Sequence, residues 1–183
     1  MKKLFVSLAV TVLLLVVLAS IAYAATGVTD PVVLQQLAKV RQATAKYQDV
    51  NVALADGFIL PPGSECVQDP QLGVMGIHVI NPARLMDSAI NILEPEILLY
   101  VKSGSELKLL GVEYFYGIGA PGSELKDIPQ PYPPSPIIFG RSLDGPMEKH
   151  EPDQPPHYDL HAWIWQANPS GIFAPFNPNV NCQ

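Results

Sequence analysis

Positive charge is scarce in this sequence. Lys and Arg total 11 against 17 Asp and Glu, for a formal net charge of −6, and Lys2 and Lys3 stand at the very start. The rest of the chain has no Lys/Arg cluster that would neutralise phosphates. We therefore expect no nucleic acid among its partners, and anionic membrane surfaces are equally disfavoured.

Several catalytic signatures are also missing. No Ser or Cys stands in a nucleophile-elbow pattern, no Gly-rich phosphate loop follows a predicted strand, and no His-Glu-x-x-His motif occurs. A hydrolase triad and a nucleotide site therefore have no support in the sequence. Any metal site has to be argued from its individual residues.

The N-terminus has the pattern of a secretory signal peptide. Met1-Lys2-Lys3 is basic, residues 4–19 are predominantly apolar, and Ala22 and Ala24 form the small-x-small pattern of a cleavage site. We expect cleavage after Ala24. The alternative is an uncleaved anchor, because about 16 apolar residues approach the roughly 20 that span a bilayer.

Cleavage of residues 1–24 would leave residues 25–183 as a single secreted domain with enough chain to bury a core. We expect it outside the cytoplasm (secreted, periplasmic or in the cell envelope) and without stable membrane insertion. Its only two cysteines, Cys66 and Cys182, lie in turn-rich sequence and would form a disulfide in an oxidising compartment. Free thiols or a thiolate pair on a metal are the alternatives.

The order of predicted elements is helices first and strands afterwards. Asp30-Pro31 predicts a helix start, followed by apolar residues at three- and four-residue spacing, and Asp49 predicts a restart of the helix. Residues 73–80 and 158–166 read as strands, and residues 96–102 and 107–116 as a hairpin. We expect an α+β fold, in which N-terminal helices pack on a mainly antiparallel sheet that forms a half-barrel or sandwich.

Histidines are the candidate metal ligands. His150, His157 and His161 lie within twelve positions, and His78 lies in the strand over residues 73–80. Imidazoles and a carboxylate commonly bind zinc, copper or iron. We expect His78, Glu113 and His161 to hold a divalent transition metal, with His157 or His150 completing the set; zinc is the first candidate and copper the next.

Glu113 is the candidate carboxylate because both faces of its predicted strand are apolar. A buried carboxylate is costly unless a cation or donor meets it, so Glu113 is predicted to be a metal-binding or catalytic residue. Arg84 or Arg141 as a structural ion-pair partner is the alternative. Each histidine taken alone is equally typical of a hydrogen-bonded core or surface residue.

The strand that contains His157 and His161 limits the metal hypothesis. Residues four apart in a regular strand are separated by about 13 Å, so these two histidines share one ion only if His157 lies in the turn that Pro155-Pro156 predicts. Asp159 on the same face is a candidate catalytic residue, or an acceptor that orients an imidazole.

Aromatic residues suggest a competing function. Trp163 and Trp165 would share one face of the predicted strand, and with Tyr114 they would contact a sugar or another small apolar ligand. Core packing is the alternative role for these rings. A non-enzymatic binding module and a structural envelope protein therefore remain alongside the metal hypothesis, and neither substrate nor reaction follows from the sequence.

The chain resembles a family of small exported proteins found mainly in bacteria. The resemblance covers nearly all of the chain after the signal peptide and implies export. It carries over no catalytic residue, so the metal hypothesis depends on the residues themselves. The matching motifs are Met75-Gly76-Ile77-His78, Pro95-Glu96-Ile97-Leu98-Leu99-Tyr100, Leu110-Gly111-Val112-Glu113-Tyr114, His157-Tyr158-Asp159-Leu160-His161-Ala162-Trp163 and Asn168-Pro169-Ser170-Gly171.

Overall fold

A computed structural model describes residues 27–182. The predicted signal peptide, residues 1–24, lies outside the described residues. The helices are α1 (Pro31–Thr44), α2 (Val50–Ala55) and α3 (Pro82–Leu85), with 3-10 turns at Ala45–Gln48 and Leu125–Asp127. The strands are β1 (Val67–Asp69), β2 (Gly73–Ile80), β3 (Ile97–Ser103), β4 (Glu106–Gly117), β5 (Ile137–Ile138), β6 (Arg141–Ser142), β7 (Asp144–Met147) and β8 (His157–Ala162).

Helix α1 begins where the sequence predicts. The Asp30 carboxylate accepts hydrogen bonds from the backbone N–H groups of Val32 and Val33, and Pro31 occupies the first helical position. The buried residues recur every three or four positions, so the helix presents one apolar face to the sheet. They are Val33, Leu37, Val40 and Thr44.

Six strands form one antiparallel sheet in the order β1-β2-β3-β4-β8-β7. The sheet curls into a half-barrel with the helical segment packed on it, which confirms the expected α+β class. Tyr100 of β3 connects the two layers, since its hydroxyl donates to the Tyr47 carbonyl at 2.6 Å. Short β5 and β6 form a separate two-stranded sheet.

Strand register places the candidate ligands on one face. Glu113 on β4 is directly opposite His161 on β8. His78 on β2 is opposite Leu99, which is in turn opposite Gly111, two residues before Glu113. Because side chains alternate along a strand and paired residues share a face, His78, Glu113 and His161 all project from the same side of the sheet.

Strand β8 is shorter than predicted. It ends at Ala162, and the chain then crosses over β4, where the backbone N–H groups of Trp165 and Gln166 both donate to the Leu110 carbonyl. The crossing needs Gly111, because a Cβ there would lie 2.5 Å from the Ala162 carbonyl oxygen. Helix α3 is a single short turn over Pro82–Leu85, and the Asn81 side chain accepts the backbone N–H of Arg84.

The two cysteines form the predicted disulfide. Cys66 before β1 is bonded to Cys182 in the C-terminal tail, 116 positions away. Within residues 27–182, no helix has both the length and the apolar character needed to cross a membrane.

Candidate metal centre

Three strands bring the predicted ligands His78, Glu113 and His161 together, and we call these residues the triad. The His78 Nε2 atom lies 3.1 Å from Glu113 Oε2, and His161 Nε2 lies 3.6 Å from the same oxygen. One donor atom from each residue lies within 4.8 Å of the other two. Zinc bound by nitrogen at about 2.0–2.1 Å in a tetrahedral site separates its ligand atoms by about 3.4 Å, so the two measured distances match a shared ion.

The donor atoms of the triad are buried and poorly satisfied. Glu113 Oε2 and His161 Nε2 are inaccessible to solvent and have no hydrogen-bond partner within the described part of the chain. Buried polar atoms of folded proteins nearly always have such a partner, and leaving one without costs about 1–3 kcal/mol. Two such atoms that face each other indicate a group that binds between them.

The electrostatics of the triad favour an ionised carboxylate. Burial alone would raise the pKa of Glu113, but the imidazoles of His161 and His78 outweigh burial and lower it well below its ordinary value. Burial alone would likewise lower the pKa of His78, whereas the Glu113 carboxylate raises it. The imidazoles that face Glu113 therefore keep it an anion although it is buried.

Neither arginine proposed as an alternative partner reaches Glu113. Arg84 donates to the Pro95 carbonyl at 2.9 Å and lies over the Phe58 ring. Arg141 pairs with Asp144 at 3.2 Å. Glu113 therefore pairs with neither arginine, and the imidazoles of His78 and His161 are the groups that face this carboxylate.

His157 and His150 do not join the triad. His157 is the first residue of β8 and not part of the preceding turn, so four strand positions separate it from His161. It stacks on Phe115 with ring centroids 4.4 Å apart, and the exposed His150 contacts it edge-on at 5.0 Å. Within residues 27–182, the ligand atoms that lie within 4.8 Å of one another belong to His78, Glu113 and His161, so a fourth histidine ligand stays a prediction.

Asp159 lies beside His157 instead of orienting the triad. Its Oδ2 atom is 3.7 Å from His157 Nε2, and its side chain is 9% exposed. Register pairs Asp159 with Phe115 and not with Glu113. A catalytic role for Asp159 stays a prediction. Its neighbour is His157, which together with His150 forms what we call the second imidazole cluster.

The predicted aromatic ligand surface is not formed. Trp163 and Tyr114 are buried, with their polar atoms donating to the carbonyls of Ala174 and Ile92. Trp165 is half-buried, lies under Arg41 and donates to the Thr44 hydroxyl. Because β8 ends at Ala162, the two tryptophans do not continue one strand face, and all three rings have structural contacts.

Sequence reasoning overlooked a second buried carboxylate, Glu96. This residue is 1% exposed and accepts the backbone N–H of Phe115 at 3.1 Å. The continuous apolar run of β3 was the signal available, because Glu96 directly precedes a strand whose first five residues are all buried. Its hydrogen bond anchors β4 two residues from Glu113.

Comparisons with known proteins give no match, so any assignment of a function depends on the geometry of the site. No protein-family model matches the chain, and neither curated proteins nor solved structures give a match.

Proposed function

We propose that this protein is an exported metal-binding protein whose triad holds one divalent transition metal, with zinc as the first candidate and copper the next. The observation that carries the proposal is the convergence of ligand atoms from three strands, two of which have no hydrogen-bond partner within the described residues. Glu113 Oε2 and His161 Nε2 are buried without partners, and His78 Nε2 completes a set within 4.8 Å.

The donor types support this choice of metal. Two imidazoles and one carboxylate form the protein ligand set of several hydrolytic zinc sites, while hard cations such as Mg²⁺ and Ca²⁺ prefer oxygen ligands throughout. Three protein ligands also leave a coordination position free for a small external molecule. This arrangement is typical of catalytic zinc sites and untypical of closed structural ones.

Access to the centre supports a functional ion. The His78 side chain is 23% exposed, against 5% for Glu113 and 2% for His161. An ion held here would be shielded from solvent on the sides of Glu113 and His161. A small molecule would reach it along His78. If the site is catalytic, activation of water for hydrolysis is the chemistry that fits zinc, and oxygen or redox chemistry the one that fits copper.

The competing functions have weaker support. A binding module for sugars or apolar ligands would need accessible rings, and Trp163 and Tyr114 are both buried. A purely structural role leaves the partnerless atoms of Glu113 and His161 without an explanation. Export itself is proposed from the predicted signal peptide, and a disulfide fits an oxidising compartment.

Metal analysis of the exported, tag-free protein tests the proposal. We expect stoichiometric zinc or copper, and we expect His78→Ala and Glu113→Gln each to weaken binding at the triad by more than about 100-fold, since even supporting residues around metal sites contribute 10–100-fold. Glu106→Gln is the matched control, because Glu106 lies exposed at the start of the same strand. A folded protein that binds neither metal would refute the proposal.

A further inference from the structure

The second imidazole cluster has a ligand-like geometry of its own. His157 is fully buried, and its Nδ1 atom lies 3.0 Å from the Pro155 carbonyl oxygen. A carbonyl can only accept, so Nδ1 carries the proton and donates it. In the neutral ring, Nε2 then bears the lone pair. A histidine whose outer nitrogen donates to a backbone carbonyl while the other nitrogen is left open has the arrangement typical of metal ligands.

The open nitrogen faces a carboxylate. His157 Nε2 lies 3.7 Å from Asp159 Oδ2 and has no hydrogen-bond partner among residues 27–182. Hydrogen bonds between charged nitrogen and oxygen measure about 2.7–2.9 Å, so an ordinary imidazolium–carboxylate bond does not account for the distance. His157 Nε2 is withdrawn from water and the Asp159 side chain is 9% exposed, and two acceptors at this separation repel each other unless a cation lies between them.

From this geometry we propose a second divalent transition-metal site, held by His157 Nε2 and Asp159 Oδ2. The ring of His150 contacts that of His157 edge-on, with centroids 5.0 Å apart, and we assign it as a further donor. The proposal rests on the proposed function, because it places the second ion beside a metal ion that is bound by the triad. It also gives a partner to the buried Nε2 atom of His157, a residue that is not part of the triad.

The two sites lie side by side on one face of the sheet. Along β8, Asp159 is two residues from His161, about 7 Å between Cα atoms. Across to β4, Glu113 pairs with His161 and Phe115 pairs with Asp159. Phe115, stacked on His157, therefore occupies the position next to Glu113 on the same face. A small external molecule bound to the triad would lie next to the second ion.

Counting metal ions per chain tests the second site. The exported full-length protein, loaded with Zn²⁺ and freed of excess metal, is expected to hold two ions. We expect Asp159→Asn and His157→Gln each to hold one. Asp144→Asn is the matched control and should keep two, because Asp144 is the strand partner of Asp159 yet is exposed and pairs with Arg141. Loading with Cu²⁺ should give spin–spin broadening of the electron paramagnetic resonance signal in the wild type and not in Asp159→Asn.

The outcomes separate the two proposals. One ion in the wild type, lost in Glu113→Gln and retained in Asp159→Asn, would overturn the second site and leave the triad standing. No ion at all would overturn both. Two ions that persist in Asp159→Asn and His157→Gln would place the second ion elsewhere. Asp159→Asn keeps the size of the side chain, so a folding defect in His157→Gln would not obscure the result.

Discussion

Two buried carboxylates on this sheet show how single residues depend on their neighbours. Glu113 faces imidazoles, and its pKa is lowered despite burial. Burial raises the pKa of Glu96 to about 8, and the backbone N–H of Phe115 and the charge of Arg84 oppose this shift only in part. The same residue type is therefore an anion in one position and a neutral acid in the other at pH 7.

Glu96 predicts a loss of stability at rising pH. Since its folded pKa of about 8 exceeds the ordinary glutamate value of 4.5, the unfolded chain releases this proton first. The contribution of Glu96 to the stability of the fold therefore decreases from pH 4.5 to pH 8. We expect Glu96→Gln to be more stable than the wild type at pH 8, by on the order of 3 kcal/mol, and nearly equal to it at pH 4.5. Urea denaturation at both pH values measures this difference.

The exposed Glu106 supplies the control for this effect. Glu106→Gln removes an acid from the solvent-facing end of β4, so its unfolding curves should stay close to those of the wild type at both pH values. If Glu96→Gln shifted stability equally at pH 4.5 and pH 8, Glu96 would not be the group that retains its proton.

At the scale of elements, α1 illustrates how a local signal sets a boundary. The Asp30 carboxylate accepts from Val32 N–H at 2.8 Å and from Val33 N–H at 3.4 Å. These N–H groups have no partner inside the helix, so the cap replaces bonds that the helix itself cannot supply. The cap positions the buried stripe of α1 against the sheet.

Removal of this cap should destabilise the fold. We expect Asp30→Ala to lower the free energy of unfolding by about 1 kcal/mol, and Asp30→Asn to retain most of that energy because an amide oxygen also caps. Thermal or urea unfolding of the three proteins checks the order wild type, Asn, Ala. Equal losses in the Asn and Ala variants would indicate that the charge, and not the hydrogen bond, matters here.

Strand β8 shows the opposite case, in which no local signal marks the end. The alternation of polar and apolar residues continues past Ala162 to Trp165, so sequence reasoning extends the strand too far. What ends it is the crossing over Gly111, where the backbone of Ala162 and Trp163 approaches β4 too closely for any side chain. This contact joins residues about fifty positions apart, and the local pattern does not contain it.

At the scale of the whole molecule, the C-terminal tail is held in two ways. Asn177 exchanges two backbone hydrogen bonds with Val74 on β2, at 2.9 and 3.1 Å. The Cys66–Cys182 disulfide then ties the end of the tail to the segment before β1. The tail thereby supports the same strand that carries His78.

Loss of the disulfide should be costly. For a loop of this length, chain-entropy arguments give about 5 kcal/mol, so we expect the double variant Cys66→Ser, Cys182→Ser to unfold at much lower urea concentration. Hydrogen exchange should show the tail deprotected while β4 stays protected. Reduced wild-type protein is the control, and it should match the variant; an unchanged unfolding midpoint would contradict this expectation.

Much of the fold follows from local patterns, and the triad follows in part. Helix α1 and the β3–β4 hairpin were predictable because capping and alternation depend on residues that are close in the sequence. The disulfide was predictable because two cysteines allow only one pairing within the chain. The grouping of His78, Glu113 and His161 was predictable only as a hypothesis. The separation of His157 from the triad depended on where β8 begins, and Pro155-Pro156 left that open.

The sequence by itself determined which residues are available and which local elements contain them. It gives an acidic chain with four histidines, two cysteines and Glu113 within a predicted strand. The tertiary structure alone decided which of them meet. Register between β2, β3, β4 and β8 places His78, Glu113 and His161 on one face and sets His157 with Asp159 beside them. Strand pairing joins segments far apart in the chain, and its register depends on burying whole faces, so no single stretch of residues contains it.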